Sequence, residues 1–173
     1  CILLLAFIAA SCNKPAQKTD LKPDSLYVLS FPALPVTMFN QIIDSTDQTK
    51  MSFYLPKDYS MEREFPLLFW INGSSGGPGT NIADARNLAH DSGFICVNLP
   101  LFIDSLAPLK ADSGNYWDRM YVNPFGTVKK NMDAYQVMLD SVFCLIPNID
   151  RKHCYMGGFS NGSNVTAGIL NFY

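Results

Sequence analysis

A chain of 173 residues, 48% hydrophobic and 16% charged, has enough apolar mass for one globular domain with a sizeable core. A net charge of -2 without clustered Lys or Arg excludes the electrostatic footprint that nucleic-acid binding relies on. Internal repeats and low-complexity tracts are absent from the sequence too.

Cys1 opens an apolar run, Ile2 to Ala10, that is too short to span a bilayer as a helix and suits the h-region of a secretory signal. Ala9, Ala10 and Ser11 directly before Cys12 resemble a bacterial lipobox, whose cleavage leaves a diacylated Cys12 as the new N-terminus. Residues 1–12 therefore read as a partial lipoprotein signal peptide. Acyl chains anchor by burying methylenes, so Cys12 is expected to hold the protein on a membrane without spanning it. Asn13, rather than Asp, after the cysteine is similar to lipoproteins of the Gram-negative outer membrane, which makes the cell envelope the expected location. The rival reading is a buried N-terminal strand or helix, and the polar Asn13-Lys14-Pro15 speaks against it. Beyond Cys12 three cysteines remain, an odd number that leaves at least one free thiol in an exported protein. Cys96 and Cys154 fall in apolar strand-like runs, where a thiol behaves as a small hydrophobe. No cysteine pair has metal-ligand spacing, and neither a metal nor another cofactor is expected.

Residues 13–25, polar and containing Pro15 and Pro23, read as a linker, and residues 26–173 as the domain. Leu26 to Ile43 is mixed, with Pro32 and Pro35 breaking any long element; a short strand is expected around Val36 to Phe39. Met51 to Leu55 alternates and is rich in aromatics, as a half-buried strand should be, and Pro56 to Tyr59 turns the chain into a hairpin-like stretch, Ser60 to Glu64. Phe65 to Ile71 is apolar at every position, the pattern of a central strand covered on both sides. It runs into the glycine-rich Asn72 to Gly79. Thr80 or Asn81 can cap a helix from Ile82 to His90, and Phe94 to Leu99 is the next buried strand. Pro100 to Gly126 is a long irregular excursion with Tyr116 and Trp117 at its centre. Loops of that length in compact α/β domains generally serve a site, so these two aromatics are a candidate substrate wall, against plain packing at the domain edge. Val128, Met132, Tyr135, Leu139, Val142 and Ile146 mark the core face of a helix that Pro147 ends.

The last stretch carries the chemistry. His153 to Met156 is strand-like, Gly158-Phe159-Ser160-Asn161-Gly162 follows, and Ser163 to Leu170 is helical in character. Gly-x-Ser-x-Gly between a strand and a helix is the pattern of a nucleophile elbow, in which a strained serine is lifted clear of the sheet and flanked by residues that must be small. By itself the motif is a weak signal. A glycine loop after an earlier strand, where acyl transfer needs a second oxyanion donor, strengthens it.

Three segments together, Tyr54 to Tyr59, Phe65 to Gly73 and Arg151 to Gly162, resemble the α/β-hydrolase superfamily, most closely its esterase and polyhydroxybutyrate-depolymerase-like branch, over roughly residues 50 to 173. The resemblance implies an α/β fold with a mostly parallel central sheet, helices on both faces, and a covalent acyl-enzyme on Ser160. It implies an oxyanion hole from the amide of Asn161 and from Ser74 or Ser75. Asn72-Gly73 stands where that family has His-Gly, whose histidine helps to organise the loop. In the superfamily the acid and the histidine follow the serine, yet the only residues after Ser160 are Asn161 to Tyr173, and none of them is histidine. His90 and His153 read as surface or edge histidines. The chain thus reads as a fragment of low activity cut at both ends, the acid, the histidine and the last strands of the fold lying beyond it. A small-molecule or polysaccharide ester is the expected substrate. A serine peptidase of the same fold and a noncatalytic cell-surface binding module on a hydrolase scaffold stay open as alternatives. A phosphate-binding glycine loop is disfavoured, because Gly73 to Thr80 lacks a Gly-Lys-Ser/Thr ending.

Overall fold

The computed structural model describes residues 3–5, 21–31, 38–39, 42–43, 49–73, 79–89, 93–102 and 128–172. Eight strands and three helices fall within them: β1 (Leu3–Leu5), β2 (Ser25–Phe31), β3 (Met38–Phe39), β4 (Ile42–Ile43), β5 (Thr49–Leu55), β6 (Phe65–Ile71), α1 (Ala83–Ala89), β7 (Ile95–Leu99), α2 (Val128–Leu145), β8 (Ile149–Gly158) and α3 (Asn161–Phe172). Six strands form one sheet in the order β1-β8-β6-β7-β5-β2, and β3 and β4 pair separately. The centre is parallel, with β6 between β7 and β8; β5, β2 and β1 join antiparallel at the flanks.

The all-apolar pattern of β6 follows from this position, since a strand paired on both edges and covered on both faces has no side for polar residues. Phe65, Leu67, Phe69 and Ile71 bury themselves on one face against Met132, Tyr135, Leu139, Val142 and Ile146 of the α2 side and Ile169 of α3. Phe69 meets Phe143 edge to face, ring centroids 6.1 Å apart. The opposite face carries a smaller cluster in which Tyr54 and Cys96 pack on Ile82 and Ala85 beside α1, with Trp70 and Phe94 against it. Helices thus cover both faces. Met132, Tyr135, Leu139, Val142 and Ile146 of the predicted stripe are core as expected, while the side chain of Val128 lies outside the described residues. Cys96 and Cys154 are free, fully buried thiols that desolvation pushes up to about 12 and about 11.

The register aligns the carboxyl ends of the three parallel strands, Ile71 of β6 lying opposite both Leu99 of β7 and Gly158 of β8. In open α/β sheets this is the edge at which ligands bind. The other end of β8 is irregular for a local reason. Pro66 has no amide to donate, and β6 resumes its pairing at Leu67 opposite Cys154 after Phe65 opposite Ile149, so Asp150 to His153 bulge out of the ladder. Just before the bulge, the buried Asn148 donates to the carbonyls of Ser60 and Arg63 and accepts from the Tyr59 hydroxyl at 2.6 Å, which ties the turn ahead of β6 to the start of β8.

Three elements differ from the sequence expectation. Met51 to Leu55, expected to be half-buried, is buried at every position, because β5 is paired on both edges, to β7 and β2, and both of its faces are covered. Ser25–Phe31 is a full strand, paired along its length with β5, where only a mixed stretch is predicted. Tyr27, Leu29 and Phe31 pack on the core, and Tyr27 stacks on Phe53 at 4.8 Å; Leu26 and Val28 lie on the uncovered face. The prolines that break the segment come after this strand. The strand expected around Val36 to Phe39 is the two-residue β3, paired with β4. Leu3–Leu5, inside the apolar run read as a signal peptide, runs antiparallel along the outer edge of β8. Among the described residues no helix is long and apolar enough to cross a membrane.

Candidate active site

Ser160 sits where β8 ends and α3 begins, with φ at +52°, a left-handed backbone conformation that costs a non-glycine residue roughly 1–2 kcal/mol. Such a conformation persists only where the surroundings over-determine it. Here the Phe159 amide donates to the Ile71 carbonyl at 3.1 Å, the Gly162 amide to the Phe159 carbonyl at 2.9 Å, and the Ser163 amide to the Ser160 carbonyl at 3.0 Å. The Thr166 hydroxyl adds a bond to the Gly162 carbonyl at 2.8 Å. The turn is tight enough that a Cβ on Gly158 would lie 2.5 Å from the Gly162 carbonyl carbon, and one on Gly162 only 2.1 Å from the Ile71 oxygen. Both flanking glycines are therefore steric requirements, as the motif predicts. The result is an exposed Ser160 at the carboxyl edge of the sheet.

Asn161 is the first residue of α3 and is buried. Backbone amides of a helix's first turn point out of its end, where the macrodipole is positive, so a negative charge developing beside Ser160 is favoured there. The glycine loop comes to the same place. A Cβ on Gly73 would lie 2.7 Å from the Phe159 carbonyl oxygen and 2.9 Å from the Ser160 Cβ, so the start of the loop lies directly on the elbow. Ser74 and Ser75, the predicted second oxyanion donors, lie outside the described residues, as do Tyr116, Trp117, Cys12 and His90.

Asn72 shows how the loop is held. Its side-chain oxygen accepts from Trp70 Nε1 at 2.8 Å, and its amide nitrogen donates to the Asn81 carbonyl at 2.6 Å. Asn81 in turn caps α1 through the Ala83 amide at 3.4 Å. Beyond the glycine run, Gly79 donates to the Lys50 carbonyl at 2.9 Å and accepts from the Ser52 hydroxyl at 2.6 Å. One amide side chain thus fastens both ends of the loop. An imidazole in its neutral form also offers one acceptor and one donor, which is why Asn can stand where the resembling family has His. Asn81 caps the helix as the sequence suggests, but its carbonyl's hold on Asn72 and the part played by Trp70 are what sequence reasoning missed. For Trp70 the signal is indirect: it lies against Gly157, the residue before the motif glycine, 3.0 Å from where a Cβ would stand.

His153 takes no part in this arrangement. Its Nδ1 lies 2.6 Å from Asp150 Oδ2 in the β8 bulge, and the hydrogen bond from His153 holds the Asp150 carboxyl below its usual range. His153 is exposed and Asp150 half-buried, and the pair lies at the opposite end of β8 from Ser160, about 15–20 Å away at strand rise. It is a surface pair, as expected for His153. Among the described residues no cluster of three or more His, Cys, Asp or Glu could hold a metal.

No family model and no curated protein sequence matches the chain. Among solved structures it is similar to an α/β hydrolase enzyme from the metagenome of Lake Arreo, Spain, with a TM-score of 0.54 and 16% identity, covering 89% of this chain and 41% of that one. An ester hydrolase from the same metagenome, complexed with a derivative of bipyridine phosphonate, gives 0.53 and 16% over 89% and 41%. A bacterial heroin esterase gives 0.51 and 22% over 88% and 41%. The chain spans about two fifths of the length of these structures, and the likeness is one of fold: the described sheet and helices form part of an α/β-hydrolase fold.

Proposed function

Starting from that partial α/β-hydrolase fold, we propose that the full-length protein is a carboxylic ester hydrolase that works through an acyl-enzyme on Ser160. The observation that carries this reading is the left-handed Ser160 held between two sterically obligatory glycines with Gly73 against it. In the proposed reaction the Ser160 hydroxyl gives its proton to a base as Oγ bonds to the ester carbonyl carbon. The oxyanion is stabilised by the Asn161 amide and the glycine loop at Ser74 or Ser75. The alcohol leaves with the proton, and water then releases the acid and restores the serine. The base comes from outside the described residues. Lipid attachment at Cys12, removing β1 with the signal segment, would place the enzyme on the cell envelope with small-molecule or polysaccharide esters as substrates and Tyr116 and Trp117 as substrate wall.

Turnover of a p-nitrophenyl ester series and of matched peptide anilides by the full-length protein tests the reaction class. The expected result is ester cleavage with the anilides slower by about 100-fold or more, because the amine is a much poorer leaving group and needs acid assistance. Equal rates would point to a peptidase, and no turnover of either to a binding module.

Asn72 supplies a second prediction. Asn72→Ala strips partners from Trp70 Nε1 and the Asn81 carbonyl. It is expected to lower kcat by about 10–100-fold through a misplaced oxyanion loop, at a stability cost of about 1–3 kcal/mol. Asn72→His should retain most of kcat at pH 8. It should lose it as the imidazole protonates near its ordinary value of about 6.5, because the cation no longer accepts from Trp70. A pH profile of the two variants decides it.

A further inference from the structure

Phe159 is the most exposed large apolar side chain among the described residues, at 69%, and it is the residue immediately before Ser160. A single exposed apolar residue on a surface needs no explanation. This one is different in how it is held. Its amide donates to Ile71 and its carbonyl accepts from Gly162, so the backbone from which the ring projects is fixed by the same bonds that fix the nucleophile. One edge of the ring lies on Gly73, with Phe159 Cδ1 3.0 Å from where a Cβ on that glycine would stand. One edge of the ring therefore lies beside the start of the glycine loop, next in the chain to the nucleophile, and most of the ring is open to solvent. Any side chain at position 73 would push it away.

We infer that Phe159 is a specificity-determining residue, an apolar shelf that packs against the hydrophobic group adjoining the scissile carbonyl of the ester. This rests on the reading of Ser160 as an acyl-accepting nucleophile. In this reading an ester whose carbonyl lies within bonding distance of Ser160 lays one of its substituents along the neighbouring ring. Each methylene that leaves water for the ring face strengthens the interaction by a fraction of what full burial would give. The shelf thus favours longer alkyl or aryl groups over methyl, on the acyl side, the alcohol side or both.

The test uses alkyl fluorophosphonates on the full-length protein, varied from methyl to hexyl either on phosphorus, as the acyl mimic, or on the ester oxygen, as the alcohol mimic. In the wild type the second-order labelling constant is expected to rise about tenfold or more along at least one series, and the responsive series identifies the side that uses the shelf. Phe159→Ala should flatten that series to within about threefold, and Phe159→Leu should restore part of the slope. A slope that survives in Phe159→Ala overturns the inference while leaving the Ser160 reading intact. So does a several-degree fall in Tm with all reagents slowed alike, which would show the ring to be packed under another segment. Absence of labelling by every reagent in the wild type would instead remove the Ser160 reading, and the shelf with it.

Discussion

Gly162→Ala is expected to cost about 1–3 kcal/mol of stability and to slow covalent capture of Ser160 by about 100-fold or more. The sign is the informative part. In an ordinary helical position Gly→Ala stabilises by about 0.5–1 kcal/mol, because alanine loses less freedom on folding. Residue 162 lies in the first turn of α3, so propensity alone predicts a gain. Sterics oppose it: the added Cβ would stand 2.1 Å from the Ile71 oxygen, 2.7 Å from its carbon and 2.8 Å from the Asn72 oxygen, all of them backbone atoms. They cannot rotate aside as a flexible side chain would, so α3 and the end of β6 must separate. That separation breaks the bond from the Phe159 amide to Ile71 and disturbs the loop that Asn72 begins. Urea denaturation of the variant beside the wild type measures the balance. A stabilised variant with normal labelling would mean that the elbow is looser than described.

Substitution of Ser160 itself has the largest expected effect. Ser160→Ala and Ser160→Gly should both reduce ester cleavage by about 10^4-fold or more, since no other group replaces the attacking oxygen. Their stabilities should differ from each other in a set order. At φ +52° alanine keeps the left-handed cost, whereas glycine escapes it, so Ser160→Gly should be the more stable by about 1 kcal/mol. The reverse order by thermal denaturation would show that the serine backbone is not strained in solution. Glycine more stable than alanine at position 160 would be the signature of backbone strain retained there.

How much of this is legible in the sequence depends on how local the cause is. Gly158 is readable because it answers to a clash with residue 162, four along the chain, whereas the close contact that requires Gly162 is with the backbone of Ile71 and Asn72 and shows only in the fold. The α2 stripe is readable because period and burial coincide. The central position of β6 is readable from an apolar run with no polar face. The Asn72 clamp is not, because its two partners are brought to it by the packing of Trp70 on Gly157 and the return of the chain at Asn81. The role of β2 is hidden for a similar reason: only pairing with β5 reveals that Tyr27, Leu29 and Phe31 share a buried face. The Asp150–His153 pair has the residue types of a catalytic dyad but arises from a bulge that Pro66 forces at the wrong end of the strand.

The central claim is that Ser160 is an activated nucleophile, and the most direct measurement is intact-mass and peptide mapping of the full-length protein after reaction with a fluorophosphonate. The Ser160 oxygen displaces fluoride from phosphorus and its proton leaves with the halide, so one phosphonyl group is added per chain. The predicted result is a single stoichiometric adduct on the peptide containing Ser160, absent from Ser160→Ala. An adduct on a different residue, or none under conditions where the protein hydrolyses esters, would contradict the account.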